Sequence, residues 1–324
     1  MRRPAFILGV CVLMASLVAC SGGSDGGSGS ESAKTDLSAS VASYDLAVGP
    51  PSRITVGLQT EDTGVGSKLI SYGTVALRFS YLGTREQPTA STVFGQPVTA
   101  NFLPLPASPM PSPPPAQPRI VPSTEARGVY ATEAAFDKAG FWGVQVEAEI
   151  DGTTHRGRSI FPVEAQHKVP APGDPAPATK TLTVSSTDVP KAAIDSRAGD
   201  SGEIPDPELH QKMLADSLAA GRPAVVVFST PVFCVSQFCG PVTDMVDELS
   251  RTYSDRADFI HVEVWKDGQK REVNDAMKEW KMETEPWVFL IGADGKIVLR
   301  LDNVATRAEL EPYLQQLPII APQA

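Results

Sequence analysis

Positive charge is what this chain has too little of. Against 38 acidic residues stand 28 Lys and Arg, a formal net charge of −10 over 324 residues, and no basic stripe offsets it. Nucleic acid is thereby excluded as a partner, because its binding rests on neutralising phosphates with Lys and Arg. A membrane-spanning run is also missing: the apolar stretch 5–19, behind Arg2 and Arg3, is too short and too one-sidedly flanked for a span and suits a secretory signal. Histidine numbers four. His155 and His167 lack a spaced Cys, His or Asp partner, so they read as solvated surface residues rather than metal ligands. No cofactor-binding motif is identified. Cysteine is equally scarce, four in all, so each thiol can be accounted for separately.

What the chain does have is length for two domains and an apolar fraction of 42%, enough for real cores. Its 29 prolines cluster at 104–122 and 170–190, marking connecting segments. One stretch carries chemistry: Phe228-Ser-Thr-Pro-Val-Phe-Cys234-Val-Ser-Gln-Phe-Cys239-Gly-Pro-Val242. It follows a short β-branched run, Ala224-Val-Val-Val-Phe228, and precedes Met245, Val246, Leu249 and Tyr253 at helical spacing. Strand, cysteine turn and helix follow in order, and a helix N-terminus lowers a thiol's pKa through its free N–H groups and dipole.

At the amino terminus, Leu17-Val18-Ala19-Cys20 followed by Ser21-Gly-Gly resembles the lipobox of bacterial lipoproteins. That resemblance implies a signal peptide at 1–19, lipidation at Cys20 and a protein held by its lipid on the extracytoplasmic face of the cell membrane, with a flexible Gly/Ser tether at 20–45. Cys11 then departs with the signal and Cys20 carries lipid. Cys234 and Cys239 remain as a pair in a compartment that permits disulfides.

Between 46 and 167 the pattern alternates in short β-prone pieces, at 53–58, 74–81, 128–136 and 142–150, and Asp151-Gly152 signals a hairpin into 155–163. Gly128-Val-Tyr130, Gly140-Phe-Trp142 and Val144-Gln-Val146 look like the closing strands of immunoglobulin-like bacterial domains, which implies a β-sandwich. Tyr130 and Trp142 read as core residues. The proline-rich 104–122 reads as a stiff projecting loop.

A boundary follows at 168–204, a linker or N-terminal arm. From 205 to 324 the expectation is a helix at 206–220 capped by Asp206 with Pro207 next, strands at 224–228, 259–264 and 287–291, a helix near 272–280, a tight turn at Asp294-Gly295 into 297–301, and a helix at 307–317. With Cys239-Gly-Pro241, Pro286 before the strand at 287 and Asp294-Gly295, this order resembles the thioredoxin fold. The expected class is thus an N-terminal all-β immunoglobulin-like sandwich plus a C-terminal α/β thioredoxin-like fold. The resemblance implies that Pro286 is a cis-proline flanking the cysteines, with Glu285 beside it.

The Cys-x4-Cys spacing departs from that family's Cys-x2-Cys. Two cysteines five residues apart in one regular helix would lie roughly 8–9 Å apart at Cα, beyond the roughly 7 Å that a disulfide permits, so at least one precedes the helix. Position relative to the strand favours Cys234 as nucleophile and the local Cys-Gly-Pro favours Cys239; the resolution adopted is Cys234 as nucleophile with Cys239 resolving. The implied activity is thiol–disulfide exchange with the thiols or disulfides of exported proteins. Two alternatives stay open: copper binding by the two cysteines with His261, and a non-catalytic binding lipoprotein with a structural disulfide.

Overall fold

The computed structural model describes residues 35–61, 66–89, 93–236 and 238–320, with the side chains of 35 and 199–201 left aside. The expected signal peptide at 1–19, the lipidated Cys20 and the tether up to residue 34 lie outside the described residues. No helix among the described residues is long and apolar enough to cross a membrane.

Nine strands fill the first half: β1 (Thr35–Val41), β2 (Ser52–Thr60), β3 (Leu69–Ser71), β4 (Thr74–Gly83), β5 (Val98–Pro104), β6 (Arg119–Val121), β7 (Gly128–Ala134), β8 (Gly140–Ile150) and β9 (Thr153–Val163). Seven of them close into a barrel in the order β1-β9-β8-β4-β5-β7-β2, with β1 returning to β2; β3 and β6 extend from β2 as a flap. Period-two alternation builds this ring, since one face of each strand must fill the interior. Ile54, Val56, Leu77, Tyr130, Val144, Val146 and Phe161 are buried together there. The Asp151–Gly152 turn has positive φ at both residues (50° and 77°) and joins Ile150 to Thr153, the two-residue hairpin expected of Asp-Gly.

The immunoglobulin-like sandwich is therefore corrected to a closed barrel. The strand that closes it, β1, comes from the last part of the segment expected to be tether. It pairs antiparallel with β2 (Val41 with Val56) and parallel with β9 (Leu37 with Gly157), so the two sheet edges that a sandwich would leave are joined through it. The proline-rich segment is mostly exposed between β5 and β6, held at its ends by buried Leu105 and Pro118.

The second half carries α1 (Leu214–Ala219), β10 (Ala224–Ser229), α2 (Cys239–Tyr253), β11 (Asp258–Glu263), the small hairpin β12 (Trp265–Asp267) and β13 (Glu272–Val273), α3 (Asp275–Glu279), β14 (Trp287–Ile291), β15 (Ile297–Asp302) and α4 (Arg307–Gln316). The sheet order is β11-β10-β14-β15, with β10 parallel to β11 and antiparallel to β14. All six β10 residues are buried, as a central strand covered on both faces requires.

The thioredoxin-like α/β class is also corrected. The chain is mostly β, and the described residues hold only four helices, of six, fifteen, five and ten residues. The physical cause is visible where long helices were expected. At 206–220 the chain makes only a 3-10 turn, Pro207–His210, before the short α1. The arm at 179–184 intercepts the backbone there: Leu214 N donates to Thr181 Oγ1, Ala215 N to Thr179 O, and Val184 N takes His210 O. Asp206 sits at φ 46° and makes no side-chain cap. Near 272–280, residues 272–273 are spent on β13, and Asn274 caps a helix of five residues.

The halves meet through polar bolts. Arg53 of β2 donates to Glu309 Oε1 (2.6 Å), Asp302 O (3.2 Å) and Val304 O (2.5 Å). Arg300 of β15 donates to Asp45 Oδ2 and Asp45 O, both at 2.9 Å. Lys34–Ala324 forms a single compact unit.

Candidate functional site

The central strand β10 delivers the cysteine loop, 230–238, from its C-terminal end. Cys234 and Cys239 form a disulfide with Cα atoms 6.0 Å apart. Cys239 is the first residue of α2 and Cys234 lies outside the helix, as the five-residue step requires. Gly240 and Pro241 complete the first turn, where the missing proline N–H leaves no intrahelical bond unmade. Cys239 is fully buried, whereas Cys234 is half-buried, between the exposed Val232 and Val235.

Two donors address Cys234. The Cys239 amide, a free N–H at the helix start, donates to Cys234 Sγ at 3.4 Å, and Ser236 Oγ lies 3.3 Å from the same sulfur. The first turn of α2 holds no acidic residue to oppose a thiolate there. The loop is anchored from below. Thr243 Oγ1 donates to Cys239 O (2.8 Å) and touches Ser229 Oγ (2.6 Å), while Val232 N donates to Ser196 Oγ (3.2 Å). Phe238 packs into a small apolar cluster with Val304 and the barrel's Leu105 and Val129.

Pro286 is buried and its bond to Glu285 is cis. Its carbonyl accepts from Asn303 N (2.9 Å), and the Glu285 carbonyl accepts from the barrel's Tyr44 Oη (2.9 Å). The two carbonyls flanking that bond are therefore already engaged within the chain. Burial, reinforced by the charge of Glu263, pushes the Glu285 carboxyl above its ordinary range.

The four histidines divide into two kinds. His155 pairs with the Asp36 carboxylate (2.9 Å), and His167 with the Asp45 carbonyl (3.1 Å) and Arg300. His261 and His210 lie fully buried together with Asp195. His261 Nδ1 is 3.4 Å from His210 Nε2 and 3.4 Å from Asp195 Oδ2, and His210 Nε2 is 3.5 Å from that same oxygen. The other His261 nitrogen, Nε2, faces Ser229 O at 3.2 Å. Both ring nitrogens of His261 are thus directed at groups other than the cysteines.

Arg197 closes over Asp195, its Nε and backbone N reaching Oδ1 (3.1 and 2.8 Å) and its Nη2 reaching Oδ2 (2.7 Å). Burial works to raise the Asp195 carboxyl, but the bonds from His210, His261 and Arg197 outweigh it and hold it far below the ordinary range. Burial also pushes His210 down. Sequence reasoning singled out His261 alone. Asp195 and His210 are separated from it by irregular chain and 3-10 turns, and no spacing motif links the three. The one available signal was compositional, since a histidine in the apolar run Phe259-Ile-His-Val must find a buried partner.

Comparison with protein-family models, with curated proteins and with solved structures finds no match.

Proposed function

We propose that this protein carries out thiol–disulfide exchange through Cys234 and Cys239, anchored by lipid on Cys20 at the extracytoplasmic face of the membrane. The observation that carries the reading is the asymmetry of the pair: Cys234 is reachable and addressed by two donors, while Cys239 is buried at the start of a fifteen-residue helix. A partner thiolate attacks Cys234 Sγ, the Cys234–Cys239 bond breaks, and Cys239 departs as a thiolate favoured by the helix N-terminus. A second partner thiol, losing its proton to solvent, attacks the partner sulfur of the mixed disulfide and expels Cys234 as thiolate. The partner leaves oxidised and the pair reduced, and the reverse sequence reduces a partner disulfide. The lipobox-like Leu17-Val18-Ala19-Cys20 supports the location, and the exposed Val232 and Val235 offer apolar contact to a partner chain.

The test is trapping. Cys239→Ser incubated with a disulfide-bearing peptide is expected to accumulate a covalent adduct on Cys234, and Cys234→Ser to form none while losing turnover. Undiminished turnover in Cys234→Ser, or a wild-type pair with a reduction potential well below about −300 mV and no exchange with glutathione, overturns the reading in favour of a structural disulfide.

A further inference from the structure

We propose that Asp195, His210 and His261 form a buried binding site for a divalent first-row transition metal ion of the Zn²⁺ type. Their donor atoms, Asp195 Oδ2, His210 Nε2 and His261 Nδ1, stand 3.4, 3.4 and 3.5 Å apart, a nearly equilateral triangle. An ion with tetrahedral bonds of about 2.0–2.1 Å to nitrogen and oxygen spaces its ligand atoms by about 3.3–3.4 Å. Two imidazoles and one carboxylate are a donor set suited to such ions.

The hydrogen inventory points the same way. His261 Nε2 faces a carbonyl, Ser229 O, so it carries that ring's hydrogen, and in the neutral ring Nδ1 is a bare lone pair. That lone pair and Asp195 Oδ2, which also accepts from Arg197 Nη2 (2.7 Å), are both acceptors, aimed at one point in a buried interior where His210 Nε2 is the third group. A cation at that point takes the His261 lone pair, Asp195 Oδ2 and, with the His210 hydrogen carried on Nδ1, the lone pair of His210 Nε2; His210 Nδ1 has no hydrogen-bond partner within the chain. The Ser229 carbonyl then does what outer partners of metal-bound histidines do, fixing tautomer and ring orientation, and Arg197 steadies the carboxylate from behind. Arg197 is shared by Asp195, Asp206 and Asp244, so its charge is not spent on Asp195 alone.

The ion would tie three separated segments beneath the cysteine loop. Asp195 adjoins Ser196, which holds Val232 of the loop; His261 holds Ser229 at its base; and Arg197 reaches Asp244 of α2 at 3.2 Å. This site is independent of the exchange reaction.

Wild-type protein, its disulfide intact, is stripped with a chelator, re-equilibrated with Zn²⁺ and analysed for metal content and thermal unfolding; Co²⁺ replaces Zn²⁺ for absorption spectroscopy. One Zn²⁺ per chain, an unfolding midpoint raised by several degrees on loading, and a Co²⁺ spectrum of nitrogen and oxygen ligation without thiolate charge transfer are expected. Asp195→Asn and His261→Gln, close in shape to the native side chains, are expected to weaken Zn²⁺ binding at least about 100-fold, and His155→Ala and His167→Ala to leave it unchanged. Folded wild-type protein that takes up no stoichiometric metal, a thiolate signature in the Co²⁺ spectrum, or full Zn²⁺ retention by Asp195→Asn overturns the proposal; the first result identifies the cluster as a buried histidine–carboxylate hydrogen-bond group.

Discussion

Asp247 shows how one side chain on α2 ties stability to pH. It is buried, one carboxylate oxygen has no hydrogen-bond partner, and the other meets Arg251 one turn along the helix. Burial first, then the charge of Asp206 and the proximity of Glu208, raise its pKa to about 6 against the pull of Arg251. A carboxyl raised on folding binds its proton more tightly in the native than in the unfolded chain. Its contribution to stability is therefore greatest below the ordinary carboxylate pKa and is lost as pH rises to about 6. Asp247→Asn is expected to unfold about 2–4 °C higher than wild type at pH 7.5, with the difference closing by about pH 4. Thermal unfolding of both proteins across that range checks this, and a constant difference at all pH values would dismiss it. At this scale the sequence was partly legible. Cys234 and Cys239 stood out because reactive residue types flanked a strand–helix junction. Asp247 did not, since a carboxylate on a helix reads as solvent-facing until a turn such as 206–210 covers it.

The strand that closes the barrel depends on one close approach. Gly157 of β9 lies opposite Leu37 of β1, and a Cβ built there would come within 2.9 Å of the Leu37 carbonyl oxygen and 3.2 Å of Leu37 Cβ. Backbone oxygen cannot yield as a flexible side chain does, so Gly157→Ala must push β1 outward. A cost of about 1–3 kcal/mol is expected, together with faster amide hydrogen exchange in 35–41 than in β8. Unchanged protection of β1 would show that the barrel closes without this contact. The alternation Leu37, Ala39, Val41 was present in the sequence, but it is short and follows a Gly/Ser-rich segment whose composition argues for a tether. The remaining barrel strands were more legible because their alternation is longer and punctuated by turn signals such as Asp151-Gly152. The long helices expected at 206–220 and 272–280 failed for the opposite reason. Apolar periodicity was adequate there, yet Thr179, Thr181 and Val184 in one case and strand β12 in the other claimed the backbone groups, and propensity yields to such tertiary partners.

Across the whole molecule, two apolar cores are joined by a largely polar seam. The barrel interior and the clusters on either face of the β11-β10-β14-β15 sheet are separate; apolar contact between the halves comes from the small group around Leu105, Val129, Val304 and Phe238 and from Tyr44, whose ring packs on Trp287. Most of the seam is charge. Burial alone would raise the Asp45 carboxyl, but the His167 hydrogen bond, the Arg300 charge and the Lys168 and Val169 amides hold it below its ordinary range. Arg53 enters from the barrel and satisfies Glu309 beside the N-terminus of α4, together with the carbonyls of Asp302 and Val304. Removing the guanidinium takes the cation from the Glu309 and Asp302 carboxylates (2.6 and 3.3 Å) and a donor from the Asp302 and Val304 carbonyls, leaving the carboxylates only the Thr306 and Tyr44 donors, and breaking such a pair from one side in a largely covered site costs about 3–5 kcal/mol. That loss falls on the seam and spares both cores. In urea, the wild-type protein is expected to unfold in one transition, seen alike by far-UV circular dichroism and by tryptophan fluorescence. Three of the four tryptophans, Trp265, Trp280 and Trp287, report the C-terminal half and only Trp142 the barrel. Arg53→Ala is expected to separate the two signals into distinct midpoints. Arg53→Lys, which keeps the charge and loses the fork that reaches five acceptor atoms, is expected to fall between. Coincident transitions in Arg53→Ala with a loss under about 1 kcal/mol would assign the coupling to the apolar contacts at Phe238 and Tyr44 instead.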